Sequence, residues 1–121
     1  MKKALSYIFG VILILGSIAH LLVPDMYEPM IPGFISPTLA NILSFIAELG
    51  IGILLVLPKY RHWGGLGFMA LMLAFLPIHI WDYMKDEPYI GSKGIALVRI
   101  TLQLLMIYAG WWIYGKAKMA Q

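Results

Sequence analysis

The chain has 121 residues and no cysteine, 61% of it is hydrophobic and 12% charged, and its formal net charge is +3. Soluble domains run near ~45–50% apolar and ~25% charged, so this chain carries more apolar surface than a soluble fold can bury, and the bilayer is the solvent that accepts it. The missing cysteines exclude disulfides, thiolate metal sites and a thiol relay, and a positive charge this small is no basis for a nucleic-acid partner.

Four apolar runs follow one another, at residues 4–23, 38–57, 63–82 and 95–114. Each matches the ~20 residues that a helix needs to cross ~30 Å of hydrocarbon, where backbone amides must bond internally. The expectation is an all-α, transmembrane four-helix bundle, a single membrane domain over residues 1–121. Lys2 and Lys3 precede the first run as they would a signal peptide. The run is longer than a typical signal-peptide core and shows no clear small-x-small site before Pro24, so it reads as a retained helix.

The first connection carries Pro24, Pro29, Pro32 and Pro37 and cannot continue a helix. Its apolar side chains, Tyr27, Met30, Ile31 and Phe34, are expected to fold over the mouth of the bundle as a cap. The second connection, Pro58 to His62, is tight and makes helices two and three antiparallel neighbours. The glycines Gly64, Gly65 and Gly67 open helix three as close-packing positions. The third connection, residues 83–94, is polar.

Lysine and arginine set the orientation. Lys2, Lys3, Lys59, Arg61, Lys116 and Lys118 gather at one end, against Lys85 and Lys93 at the other. This places both termini in the cytoplasm and the proline-rich connection outside, in the inner membrane of a bacterium if the source is one.

Six residues inside the runs are polar or ionisable: His20, Glu48, His79, Asp82, Arg99 and Gln103. A charge at mid-bilayer costs about 2.5–3.5 kcal/mol, so such groups pair, line a hydrated space or serve a function. All six fall in the outer half. Helix two places Asn41, Ser44, Glu48 and Gly52 on one stripe, and helix one places Ser6, Gly10, Ser17 and His20 on a small, partly polar face. Such stripes face the bundle interior. His20, Glu48, His79, Arg99 and Gln103 are therefore the ligand-binding candidates, with Tyr27, Asp82 and Trp81 as secondary ones. The expected interaction is Glu48 with Arg99, directly or through Gln103 or water. The structural alternatives are a closed ion pair, an interfacial His20, and His79 and Asp82 as helix-end residues. Trp63, Trp81, Trp111, Trp112 and Tyr114 read as interface anchors. A metal set of His20, Glu48 and His79 has no local H-x-x-H or E-x-x-H pattern behind it, so no metal is expected.

With those residues in place, the chain resembles the DoxX-like family of small four-helix membrane proteins over nearly its whole length. The resemblance is carried by Gly16-Ser17-Ile18-Ala19-His20 with Pro24 and Tyr27, by Met30-Ile31-Pro32, and by Glu48-Leu49-Gly50-Ile51-Gly52 with Leu55 and Pro58. It continues through Arg61 with Trp63-Gly64-Gly65-Leu66, Ala74-Phe75-Leu76-Pro77-Ile78-His79-Ile80, and Arg99 and Gln103 before Trp111-Trp112. After the helix-three proline the family usually reads Ala-Asn-Ile, where this chain has Ile78-His79-Ile80. The family name implies a link to quinone-coupled sulfur oxidation, and more distant relatives include a eukaryotic assembly chaperone for nicotinic receptors.

Four function classes follow, of which proton or solute transport is the weakest because no polar trail continues to the cytoplasmic face. The first is a quinone- or lipid-interacting subunit of a membrane redox system, with electrons supplied by a membrane protein partner or bound cofactor. The second is a non-enzymatic assembly or stability factor, whose lipid faces meet client helices or a second copy. The third is an intramembrane isomerase or lipid-binding enzyme that uses Glu48 and a histidine for proton transfer.

Overall fold

The computed structural model describes residues 2–27, 29, 31, 33–85 and 91–119. It contains four long helices, α1 (Lys2–Leu22), α2 (Pro37–Val56), α3 (Arg61–Met84) and α4 (Lys93–Met119). All four are long and apolar enough to cross a membrane. Among the described residues there is no strand. Each helix covers its expected run, except that α1 and α2 stop one residue short of the expected ends at 23 and 57, and α4 extends five residues past the expected end at 114.

Local sequence sets the helix ends. Pro24 stops α1 and begins a short 3₁₀ turn, Pro24–Met26. Ser36 caps α2, its hydroxyl accepting from the Leu39 amide, and Pro37 takes the first helical position, where its missing N–H costs nothing. Leu57 and Pro58 end α2, and a 3₁₀ turn over Pro58–Tyr60 reverses the chain directly into α3. The Ser92 hydroxyl accepts from the Ile95 amide at the start of α4. The cap assigned to the first connection is half realised. Tyr27, Ile31 and Ile35 are half-buried, but Phe34 is 89% exposed and points away from the bundle. Met30 lies outside the described residues, as do residues 86–90 of the third connection.

The bundle is built as two tight hairpins, α1 with α2 and α3 with α4, joined mainly through α2 and α3. Each hairpin closes on a pair of glycines. A Cβ on Gly10 would stand 2.9 Å from the Gly52 carbonyl oxygen, and one on Gly65 would stand 2.9 Å from that of Gly110. Gly64 brings α3 against the α2 backbone at Leu55, whereas Gly67 abuts only the Ile51 side chain. Glycine lets helix backbones approach closely where lipid offers no hydrophobic drive to associate. Between the hairpins Leu13, Leu55, Phe68, Leu71, Met72 and Ile113 form the core. Phe9 stacks on Phe68 across it, with ring centroids 4.7 Å apart. Leucine, isoleucine and valine cover the outside of all four helices.

The end of the bundle that holds the α2–α3 turn is locked by a buried arginine. Arg61 is 4% exposed. Its Nε donates to the Ser6 hydroxyl at 3.1 Å and to the Leu55 carbonyl at 3.4 Å, and its guanidinium lies over the Tyr7 ring. The Ser6 hydroxyl donates to the same Leu55 carbonyl. That carbonyl is among the last four of α2, which have no backbone partner within the helix.

Candidate functional site

The opposite end gathers the ionisable groups. His20, in the last turn of α1, directs its two ring nitrogens at two residues of α2. Nδ1 lies 2.7 Å from the Asn41 Oδ1, and Nε2 lies 2.6 Å from the Glu48 Oε2. Asn41 and Glu48 are two helical turns apart and share one face, which is why one ring can span them. The Tyr27 ring stacks on the imidazole at 3.8 Å between centroids, inclined by 21°. His20 and Glu48 are only 8% and 7% exposed, so each is the other's solvent.

The protons follow from this geometry. An amide oxygen only accepts, so Nδ1 donates to Asn41 in this arrangement. The short contact between Nε2 and Glu48 then holds one proton between nitrogen and oxygen. Imidazolium with carboxylate, or neutral imidazole with carboxylic acid, is neutral as a pair, and that neutrality makes deep burial tolerable. The pair corrects the direct form of the sequence expectation: the ion partner of Glu48 is His20 of its own hairpin, and the Arg99 guanidinium binds Asp82 instead.

Next to the pair is a cavity of about 340 Å3. The connection roofs it with Met26, Tyr27, Ile31 and Ile35, α2 contributes Ala40, Asn41, Ser44 and Glu48, α3 contributes Phe75, Ile78 and His79, and Arg99 reaches in from α4. Four of the five principal candidates, His20, Glu48, His79 and Arg99, thus converge on one space, together with Tyr27. Burial, and then the Glu48 carboxylate, push the Tyr27 phenol above its ordinary pKa, which keeps its hydroxyl a donor.

Gln103 is absent from the cavity wall, although its side chain is within hydrogen-bonding reach of His79. It is buried against α3 and donates to the Met72 carbonyl at 2.8 Å, five residues before Pro77, which lies inside that helix. Asp82, fully buried, is bound by Arg99 Nη2 at 3.2 Å and by Lys85 at 3.7 Å. Trp81 is partly exposed and carries the Lys85 ammonium on its ring face. Asp82 and Trp81 are absent from the cavity wall; Asp82 instead anchors Arg99 there. His79 sits within electrostatic reach of Arg99 and Asp82. Its Nδ1 is buried, with no hydrogen-bond partner among the described residues.

Two residues that the structure makes central were not singled out from sequence as site residues. Asn41 was legible as a member of the Glu48 stripe, but nothing local marked it as the histidine's partner. Arg61 read as an orientation signal and as part of the family resemblance, not as a buried structural residue. Among the described residues no three histidine, cysteine, aspartate or glutamate side chains are placed to hold a metal ion, so His20, Glu48 and His79 do not form such a set.

A family model described as Domain of unknown function (DUF8561) matches residues 9–114. The chain belongs to that family. The stretch matching DUF8561 contains every residue of the cavity wall, along with Asp82 and Arg61. No curated protein and no solved structure matches the chain.

Proposed function

We propose that this DUF8561 protein binds a lipid-soluble molecule with a small polar head, of the quinone class, in the cavity beside His20 and Glu48. The observation that carries the reading is the cavity itself. It has mostly apolar walls and a few convergent polar groups, the usual make-up of a small-molecule site, and its volume falls at the lower end of the ~300–1,000 Å3 range for such sites. That is room for one substituted ring. The donors suit carbonyl oxygens. Arg99 and the Tyr27 hydroxyl offer N–H and O–H groups from different sides, and His79 holds an unpartnered buried nitrogen. Bound there, a quinone would supply two-electron, two-proton redox chemistry. The chain's own residues would orient the ring, exclude water and hold a proton between His20 and Glu48. Electrons would come from a membrane protein partner, in keeping with the DoxX-like resemblance. With both termini in the cytoplasm, as the positive residues favour, the cavity lies toward the outer face of a cell membrane.

The test is equilibrium binding of a short-chain benzoquinone to the protein in nanodiscs, set beside mass spectrometry of the lipids that co-purify. Saturable one-to-one binding, abolished by Ala40→Trp, which fills the cavity from α2, supports the reading. Binding no greater than partition into empty nanodiscs, or stoichiometric recovery of a different lipid, overturns it.

A further inference from the structure

His20 is the wall between two spaces. Besides the inner cavity, a groove of about 470 Å3 lies at the ends of α1 and α2, bordered by Pro24, Asp25, Pro37 and Thr38, and His20 and Asn41 belong to the lining of both. Asp25, Pro37 and Thr38 are exposed and lie at the ends of the two apolar runs, where a membrane-spanning bundle meets water, so the groove opens toward the aqueous side of the connection. Glu48 borders only the inner cavity. The imidazole touches Glu48 with one nitrogen and presents the other at the groove side, at Asn41.

We propose that His20 is a proton passage, through which the protonation of Glu48 inside the bundle equilibrates with the aqueous face that carries the α1–α2 connection. The step conserves every atom and charge. Outward, the Glu48 O–H bond breaks as Nε2–H forms, and Nδ1–H breaks as groove water takes the proton. His20 is left neutral with Nε2–H donated to the Glu48 carboxylate, a charge-assisted hydrogen bond. Asn41 then turns its amide to offer N–H to the bare Nδ1, since its two ends exchange by a half-turn. Inward transfer reverses each bond. The arrangement in the structure, with Nδ1 donating to Asn41 Oδ1, is the loaded state.

The surroundings restrict the route to this ring. From α2 it faces Glu48 and the Asn41 amide, and from the connection it faces Tyr27, stacked on the ring, and Asp25, across the groove. His79 of α3 and Arg99 of α4 face it across the cavity. Asp25 is the acidic group of the groove among the described residues and gives arriving protons a carboxylate at its mouth. The inference goes beyond the ligand reading and holds whatever molecule occupies the cavity.

The experiment uses the full chain inserted with one orientation in liposomes, with no ligand added. A pH jump is applied on one face at a time, and infrared spectroscopy follows the carboxyl stretch that Glu48→Gln removes. The band should follow the pH of the connection face. Thr38→Trp fills the groove from an exposed position without touching His20 or Glu48, and it should slow the response by about a hundredfold, the scale of a lost positioned acid–base group. Leu43→Trp, at an exposed α2 position outside both linings, should leave the rate unchanged. His20→Phe should slow it as Thr38→Trp does, and the groove variant keeps the test valid if that protein fails to fold. A Glu48 band that tracks the opposite face, that responds equally fast in Thr38→Trp, or that no pH brings out overturns the proposal. Benzoquinone binding measured on the same liposomes tells a failed proton route from a failed ligand site.

Discussion

Gly16 leaves the space that the Glu48 carboxylate occupies: a Cβ on residue 16 would stand 2.9 Å from Oε1. The carboxylate is thus held by His20 on one oxygen and by the α1 backbone surface beside the other. Gly16→Ala should shift the carboxylate against the imidazole. The expected result is weaker ligand binding, by about tenfold, the equivalent of one lost hydrogen bond of about 1.4 kcal/mol. Gly50→Ala is the control. Its Cβ would meet open space, and alanine is the better helix former, so binding should be unchanged and stability equal or higher.

The His20–Glu48 pair should behave as a unit. Removing either partner leaves a buried polar or charged group uncompensated, which costs about 3–5 kcal/mol in buried pairs of soluble proteins. In a double-mutant cycle with His20→Leu and Glu48→Leu, the double variant should therefore lose much less than the sum of the single losses. A parallel cycle of Glu48→Gln with Arg99→Met should come out nearly additive, within about 0.5 kcal/mol, because the two residues have different partners. Unfolding in mixed detergent micelles gives both numbers. Strong coupling in the second cycle with none in the first would restore the Glu48–Arg99 pairing.

The fold was legible because its cause is local. Four runs of bilayer length, each bounded by proline or charge, determine four helices whatever their neighbours do. The Asn41–Ser44–Glu48–Gly52 stripe was legible for the same reason, since helical periodicity fixes which residues share a face. Pairing is a property of two helices at once. Charge alone favours arginine as the partner of Glu48, but the glycine contact of Gly10 with Gly52 draws α1 against the same stripe and sets His20 opposite it. Arg99 is taken by Asp82 across the other hairpin. Phe34 misled because apolar character in a connection does not say which way the residue faces, and a connection beside a membrane has two apolar directions available.

The α3–α4 hairpin depends on Gly65 and Gly110 lying backbone to backbone. A Cβ on Gly110 would come within 2.8 Å of the Met69 amide nitrogen, where no flexible side chain can move aside. Gly110→Val should destabilise by about 1–3 kcal/mol or more, the range for overpacked cores, and should shift Arg99 and with it the cavity wall. Gly115→Val adds its bulk where nothing lies within reach of the new Cβ and should be tolerated. Equal unfolding temperatures for the two variants would show that the glycine seam is not what closes this hairpin.

Arg61 should matter for stability and not for the site. Its Nε serves Ser6 and the Leu55 carbonyl together, its guanidinium covers Tyr7, and all three contacts lie at the end of the bundle away from His20. Lysine keeps the charge but lacks the fixed Nε–H that both acceptors share and the flat guanidinium that covers Tyr7. Arg61→Lys should therefore cost about 1–3 kcal/mol, the price of a buried acceptor left poorly satisfied. The loss should appear first as faster hydrogen exchange of the amides around the α2–α3 turn, where the helix end opens. Ser6→Ala should reproduce part of it, because it removes a second donor to the Leu55 carbonyl while leaving the positive charge in place. Benzoquinone binding by the folded fraction should be unchanged in both variants. If Arg61→Lys keeps full stability, Arg61 acts through its charge alone, as an orientation signal; if it abolishes binding while the turn stays protected, the two ends of the bundle are coupled and the cavity is not the self-contained site that its walls describe.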